Sequence, residues 1–401
     1  MTIVIVGAGQ TGAVAARTLR RRGYAERIVL LGAEADGPYQ RPPLSKEYLA
    51  GTVERAELDL LDPSWCAENA VELRTGCRVV RIRTGDRAVE LADGASVVGD
   101  VVLLATGGRA RRLPGVSGER VHHLRTVADA ERLRASLRPG AHVIIAGAGF
   151  IGSEVASTAV AAGASVTVLE QAPVPLAHAI GPRMGEVCAG LLREAGVDLR
   201  TSERVASVTE RSGGVEVRTA AGTVLAGDAL VVGIGMLPND EVAAASRLDV
   251  SDGVLVDEHC RTSAPGVFAA GDVARHYHPP SGRHVRVEHV DNATAQGMAA
   301  AKNMLGKAVP YDAPHWFYSE QFGHDLQFAG DAEGCDELVS RGDPASRDFV
   351  AFYLRKGVVR AAFAIDRGGD VALARALITA QAAPEPAALA DESVDLADLL
   401  D

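Results

Sequence analysis

Short runs of branched apolar residues recur along this chain, each followed by glycine and then by a stretch rich in alanine. The first, Ile3-Val4-Ile5-Val6, has no polar alternation, which predicts a strand covered on both faces as in a parallel sheet. It leads into Gly7-Ala8-Gly9-Gln10-Thr11-Gly12, an alanine-rich helical stretch through Leu19, and a second apolar run, Ile28-Val29-Leu30-Leu31. The same order returns later. His142-Val143-Ile144-Ile145-Ala146 leads into Gly147-Ala148-Gly149-Phe150-Ile151-Gly152, alanine-rich residues through Ala162, and Val166-Thr167-Val168-Leu169. Each is the opening of a strand–helix–strand unit. Further buried strands are predicted at Val101–Leu104, ending in Ala105-Thr106-Gly107, and at Ala229–Val232, ending in Gly233-Ile234-Gly235. From about Tyr311 the glycine motifs stop and strand-like segments take over, notably 349–354 and 358–365, which marks a further domain. The last residues, 380–401, are rich in alanine, proline and acid, and read as a partly mobile tail.

The two Gly-x-Gly-x-x-Gly turns carry the first chemical content. The first glycine of each (Gly7, Gly147) permits a tight turn. The second (Gly9, Gly149) lets backbone approach a pyrophosphate, and the third (Gly12, Gly152) lets the helix pack close to its strand. The helix N-terminus then offers unpaired N–H groups and the positive end of its dipole to phosphate. One such motif is weak evidence; two, each between an apolar run and a helix, point to two dinucleotide sites in one chain. An acidic residue about 20 positions beyond the third glycine accepts hydrogen bonds from a ribose. Glu170, directly after the second unit's second strand, answers to this and favours NADH, since its charge repels the 2′-phosphate of NADPH. In the first unit Glu34, after Gly32-Ala33, takes that place.

Composition narrows the classes. A chain of 401 residues, 47% hydrophobic and 23% charged, suits two or three globular domains. A net charge of −11 argues against nucleic-acid binding, which needs a basic surface to displace counterions. No apolar run approaches the roughly 20 residues that cross a bilayer, so no membrane association is expected. Five scattered cysteines (Cys66, Cys77, Cys188, Cys260, Cys335) fit a reducing compartment, with the cytoplasm as default. The histidines lack the spacing of a metal site; His276 and His278 read as solvated loop residues, and no metal is expected.

Taken together the motifs resemble the two-dinucleotide-domain flavoproteins of the glutathione-reductase type. Where disulfide reductases of that fold carry Cys-x4-Cys, this chain has Tyr39-Gln40-Arg41-Pro42-Pro43-Leu44-Ser45-Lys46-Glu47, without sulfur and so without a route for covalent disulfide exchange. Arg-Pro-Pro-Leu-Ser-Lys is instead similar to the pattern of the oxygenase-coupled, NADH-dependent ferredoxin reductases, the putidaredoxin reductase-like group. The likeness runs through Leu124-Arg125-Thr126, Gly152-Ser153-Glu154, Val287-Glu288-His289-Val290, Trp316-Phe317-Tyr318-Ser319-Glu320-Gln321 and Asp391-Glu392-Ser393-Val394.

The resemblance implies an α/β fold with two Rossmann-like domains: an FAD domain from 1–111 and 238–311, and an NAD domain from 112–237. An α+β domain at 312–401 follows. It implies that Lys46 lies near the flavin N5 with Glu154 as its partner, the ammonium offsetting negative charge that reduction places on the ring. FAD contacts would come from Thr11, Arg41, Pro43, Val79, Ala105, Thr106, Gly107, Arg125, Gly271, Asp272, Glu288, His289, Val290 and Trp316. The stretch Gly235 to Pro238 would help wall the nicotinamide site, and Ile151 would be a further cofactor contact. Two departures stand out: Ala33 replaces a usual aspartate, and Tyr318 and Glu320 replace a tryptophan and an aspartate. The activity implied is hydride transfer from NADH to FAD, then single-electron delivery to a small iron–sulfur ferredoxin. That ferredoxin would serve a haem-thiolate monooxygenase or a ring-hydroxylating oxygenase. An NADH–rubredoxin reductase, or a binding flavoprotein like apoptosis-inducing factor, would share the fold. Arg109, Arg111 and Arg112 form a basic cluster that reads equally as a patch for an acidic partner or as a solvated face.

Overall fold

The computed structural model describes residues 1–400, which form two compact units. The first contains Met1–Gln40, Arg55–Arg109 and Met236–His315; the second contains Arg41–Glu54, Ala110–Gly235 and the chain from Trp316 onward.

The first unit is organised on a five-stranded parallel sheet in the order Val267–Ala269, Val101–Leu104, Ile3–Val6, Ile28–Leu31, Val71–Arg74. All four residues of Ile3–Val6 are buried, as an unalternating apolar run requires. The helix Gln10–Arg21 packs on this sheet through Ala13, Ala16 and Leu19, small side chains that bring backbone close to backbone. Arg20 and Arg21 at its end complement the negative pole of its dipole. A second helix, Val290–Met304, lies against it so closely that a Cβ on Gly297 would meet the Thr11 carbonyl oxygen at 2.8 Å. Two small three-stranded sheets complete the unit.

The second unit repeats the design. Its parallel sheet runs Asp198–Arg200, Ser165–Leu169, His142–Ala146, Ala229–Val232, Val121–His122, with the strand before the glycine turn again central. In both sheets the chain leaves the central strand where its two neighbours diverge in sequence, the position at which open α/β sheets bind ligands. The same unit carries a five-stranded antiparallel sheet, in the order Trp316–Gln321, His324–Gly330, Val358–Ile365, Asp348–Arg355, Glu337–Asp343. One face packs with residues of the helix Ala177–Glu194, the other with the helix Gly368–Ala380. The expected α/β class, with two Rossmann-like sheets and a carboxy-terminal α+β part, is what the chain forms.

The tail departs from expectation. Instead of a mobile end, it forms the helix Pro386–Ala390 and a 3-10 turn at Leu396–Leu399, with Leu389 and Leu396 buried against the antiparallel sheet. The buried Arg341 guanidinium donates to the carbonyl oxygens of Asp391 (2.7 Å), Val394 (2.9 Å) and Glu392 (3.4 Å). Two well-placed leucines and one arginine outweigh a composition that otherwise suggests disorder.

Candidate functional site

In the first unit the glycines do separate, measurable work. Gly7 has φ +117°, and a Cβ there would stand 2.0 Å from the Ala105 carbonyl oxygen; one on Gly12 would stand 2.0 Å from that of Gly7. Gly9 meets no protein atom within 4 Å of where its Cβ would be. That open space lies at the start of Gln10–Arg21, whose N-terminus carries no side-chain cap among the described residues. Thr11 is buried on the first turn, its hydroxyl 2.2 Å from where a Cβ of Gly271 would stand. Gly271 has φ +80°, and its N–H donates to the Gln296 side-chain oxygen at 2.8 Å, which holds the turn bearing the buried Asp272. Val290 opens a second helix without a side-chain cap, preceded by His289 as N-cap and by Glu288, which pairs with Arg286. Ala105 and Val79 are buried; Thr106 and Asn239 exchange two hydrogen bonds, at 2.7 and 2.9 Å, beside Gly107 with φ +63°. Glu34, half-buried beyond the strand Ile28–Leu31, accepts a hydrogen bond from the Tyr39 hydroxyl at 2.5 Å. An unfilled glycine cradle, uncapped helix N-termini and carboxylates at the sheet's carboxyl edge fit the diphosphate and sugars of FAD.

The second unit holds a matching cradle. Gly147 has φ +99° with a Cβ position 2.4 Å from the Gly233 carbonyl oxygen; Gly152 would clash with Gly147 at 2.0 Å; Gly149 again faces open space. Both oxygens of Glu170 are held by backbone N–H groups, from Ala148 and Ala172, each at 2.7 Å. Two of the roughly four acceptor sites of that carboxylate are therefore used, which leaves others for ribose hydroxyls. Ile151 exposes 43% of its surface at the start of the helix, and Gly235 is exposed with φ +96°. An apolar side chain beside an open glycine turn suits a planar ring, so these residues fit a nicotinamide dinucleotide.

The same unit contains the ion pair. Pro42 and Pro43 pre-set a 3-10 turn, Pro42–Ser45, after which Lys46 starts the short helix Glu47–Ala50. Lys46 Nζ lies 2.9 Å from Glu154 Oε2, and both side chains are largely buried. Arg41 donates to the Arg125 carbonyl oxygen at 2.6 Å, just ahead of a capping box in which Thr126 and Asp129 bond reciprocally. Trp316 is half-buried: its indole N–H donates to Gln327, its ring lies 5.6 Å from that of Tyr318, and the Arg375 guanidinium sits 5.6 Å from its centroid. Burial, with Glu154 and Glu320 nearby, raises the Tyr318 hydroxyl above the usual range, so that ring stays neutral. Ser45, Ser319 and Gln296 carry hydrogen bonds that no motif announced, because their partners are distant in sequence. Arg109 pairs with Glu241, so it is tied locally.

His276 and His278 correct an expectation. They lie on the strand Ala274–His278, buried, and cluster with Tyr311 and His315. Along this strand buried and half-buried positions alternate, which puts Ala274, His276 and His278 on its inner face. His276 Nδ1 faces the Gln296 amide nitrogen at 2.8 Å, so that ring nitrogen accepts. Burial, with His315, His278 and His284 nearby, pushes this imidazole down to about 2. The unfolded chain takes up a proton here near pH ~6.5 and the folded chain does not. Stability is therefore full above that pH and falls below it, by about 1.4 kcal/mol per pH unit for one such group. The urea midpoint should drop between about pH 6.5 and 5, and His276→Asn should lessen that slope by one group's share, with His289, which burial pushes down to about 4, contributing to the remainder; an equally steep profile in the variant would contradict this. Elsewhere, donor atoms of Asp257, Glu258 and His259 lie within 4.8 Å of one another, an arrangement common in partly exposed acidic groups without an ion.

Burial raises the Cys188 and Cys260 thiols to about 12 and the Cys335 thiol to about 11, and none of the five cysteines is paired. Sulfur in its thiol form is a poor nucleophile.

Two glycine cradles on two parallel sheets, with a buried ammonium–carboxylate pair in a segment that holds no cysteine, define a two-nucleotide redox protein. Its residues 1–297 match the model of the pyridine nucleotide-disulphide oxidoreductase family, and residues 316–400 match that of the reductase C-terminal domain. The chain belongs to that family, in its branch of ferredoxin reductases of oxygenase systems. It is 40% identical over 397 residues to the ferredoxin–NAD(+) reductase component of the anthranilate 1,2-dioxygenase system of Burkholderia cepacia, covering 98% of each chain. It is 37% identical to putidaredoxin reductase of Pseudomonas putida, over 99% of this chain and 96% of the relative. Among solved structures, the covalent putidaredoxin reductase–putidaredoxin complex matches with TM-score 0.96 and 38% identity, over 100% of this chain and 98% of the other.

Proposed function

We propose that this protein accepts a hydride from NADH onto FAD and delivers the electrons singly to a small iron–sulfur ferredoxin that serves an oxygenase. FAD, when bound, supplies the exchange between two-electron and one-electron chemistry. The residues of the chain do the rest. The turn from Gly7 to Gly12, Thr11 and Asp272 hold the FAD diphosphate and ribityl chain, with Glu34 on its ribose. The turn from Gly147 to Gly152 and Glu170 hold NADH. Lys46 supplies positive charge for the reduced ring, and Glu154 keeps that charge in place. The carrying observation is the buried Lys46–Glu154 pair at 2.9 Å, in the segment where disulfide reductases of this fold hold their cysteines. The FAD, NAD and carboxy-terminal boundaries given above are part of the same proposal. Relatives named as components of dioxygenase and putidaredoxin systems support the choice of partner. Among the described residues no helix is long and apolar enough to cross a membrane. Five unpaired cysteines accord with a cytoplasmic site of action.

The test is an anaerobic titration with NADH and with NADPH, followed by candidate ferredoxins or rubredoxin. NADH should bleach the flavin at far lower concentration. Glu170→Ala should shrink that preference on the order of tenfold, or about 1.4 kcal/mol. Equal response of the unaltered protein to both nucleotides would refute the assignment of Glu170, and reoxidation by rubredoxin alone would replace the ferredoxin.

A further inference from the structure

Glu154, 4% exposed, receives three side-chain donors within the second unit. Two come from adjacent residues and converge on one oxygen: Lys46 Nζ at 2.9 Å and the Ser45 hydroxyl at 2.5 Å, both to Oε2. The third is alone on Oε1. It is the hydroxyl of Ser319, 2.7 Å away and 165 residues later, on the edge strand of the antiparallel sheet. Ser319 is fully buried, and its oxygen accepts from the Gln321 side-chain amide at 2.9 Å. An amide NH2 group has no acceptor to offer, so the single hydroxyl proton of Ser319 is directed to Glu154. The result is a one-way chain, Gln321 N–H to Ser319 O–H to the Glu154 carboxylate.

We propose that Ser319, oriented by Gln321, is a positioning residue for Glu154, and that the antiparallel sheet thereby takes part in hydride uptake. This rests on the reading that the Lys46–Glu154 pair serves the flavin. Without Ser319, Oε1 loses its one side-chain donor, the carboxylate can turn about its last torsion, and Lys46 loses a fixed counter-charge. A hydrogen bond to a buried charged group contributes enough that its loss should slow hydride uptake by about tenfold.

The experiment compares Ser319→Ala with the unaltered FAD-loaded protein in three measurements. Rapid-mixing reduction by NADH should slow by about tenfold. Oxidation of the chemically reduced protein by ferricyanide, a one-electron acceptor, should be unchanged. In the infrared difference spectrum recorded without nicotinamide, the carboxylate band that Glu154→Gln removes should shift in Ser319→Ala. Ser319→Thr, which keeps the hydroxyl, should restore the rate and the band together; if its methyl group prevents folding, Gln321→Leu should give a smaller loss of the same kind. An unshifted band overturns the proposal. So does an unchanged rate of NADH reduction, or equal slowing of both half-reactions, the mark of general destabilisation. Should NADH fail to reduce the unaltered protein, the proposed function falls, and the infrared band still decides whether Ser319 holds Glu154.

Discussion

Gly12→Ala is expected to give a protein that is colourless on purification and stays colourless when FAD is added. The added Cβ would meet the Gly7 carbonyl oxygen at 2.0 Å and the Leu30 side chain at 3.2 Å. The first of these is backbone on the central strand's own turn and has nowhere to go. Overpacking of this kind costs about 3 kcal/mol or more when backbone must move. Gly9→Ala is the informative partner, since its Cβ meets no protein atom within 4 Å. That variant should fold with the thermal midpoint of the unaltered apoprotein, yet bind FAD at least about tenfold more weakly, because only a phosphate needs the space. Calorimetry of the apoproteins and flavin fluorescence on dilution separate the two effects. Retention of FAD by Gly9→Ala at full affinity would mean that the diphosphate does not approach there.

Lys46→Met should slow hydride uptake from NADH by roughly a hundredfold, the scale of removing one preorganised charge from a developing anion. It should also lower stability by about 3 kcal/mol, because Glu154 is left buried with an uncompensated charge. These two losses have different causes and can be pulled apart. Lys46→Met with Glu154→Gln removes both charges, so the urea midpoint should return most of the way while the rate does not. If the double variant regains the rate as well, the lysine serves folding alone.

Much of the site was legible because its parts are local. A glycine turn, the apolar strand before it and the alanine-rich helix after it lie within about 25 residues, and backbone sterics confine them to one arrangement. The sulfur-free segment around Lys46 was equally plain, since the absence of cysteine from a short stretch needs no structure to detect. The pairing of Lys46 with Glu154 came from resemblance alone; nothing in the spacing of two residues 108 apart announces a contact. Ser319 and Gln321 were in view within an aromatic segment, and their part in the site was not. His276 and His278 were misplaced because a histidine pair has no periodic signature until its strand is known. The tail was misjudged because its composition is that of a mobile segment, while two leucines and Arg341 decide otherwise.

Local chain stereochemistry and apolar patterning were thus enough to specify two glycine cradles, a carboxylate following the second of them and a stretch around Lys46 without cysteine. Which side chains meet Glu154, which histidines are kept from protons and how the tail is tied down depended on the folded chain. Those contacts join residues far apart in sequence, and their strength comes from exclusion of water, a property that no residue possesses until the chain has closed around it.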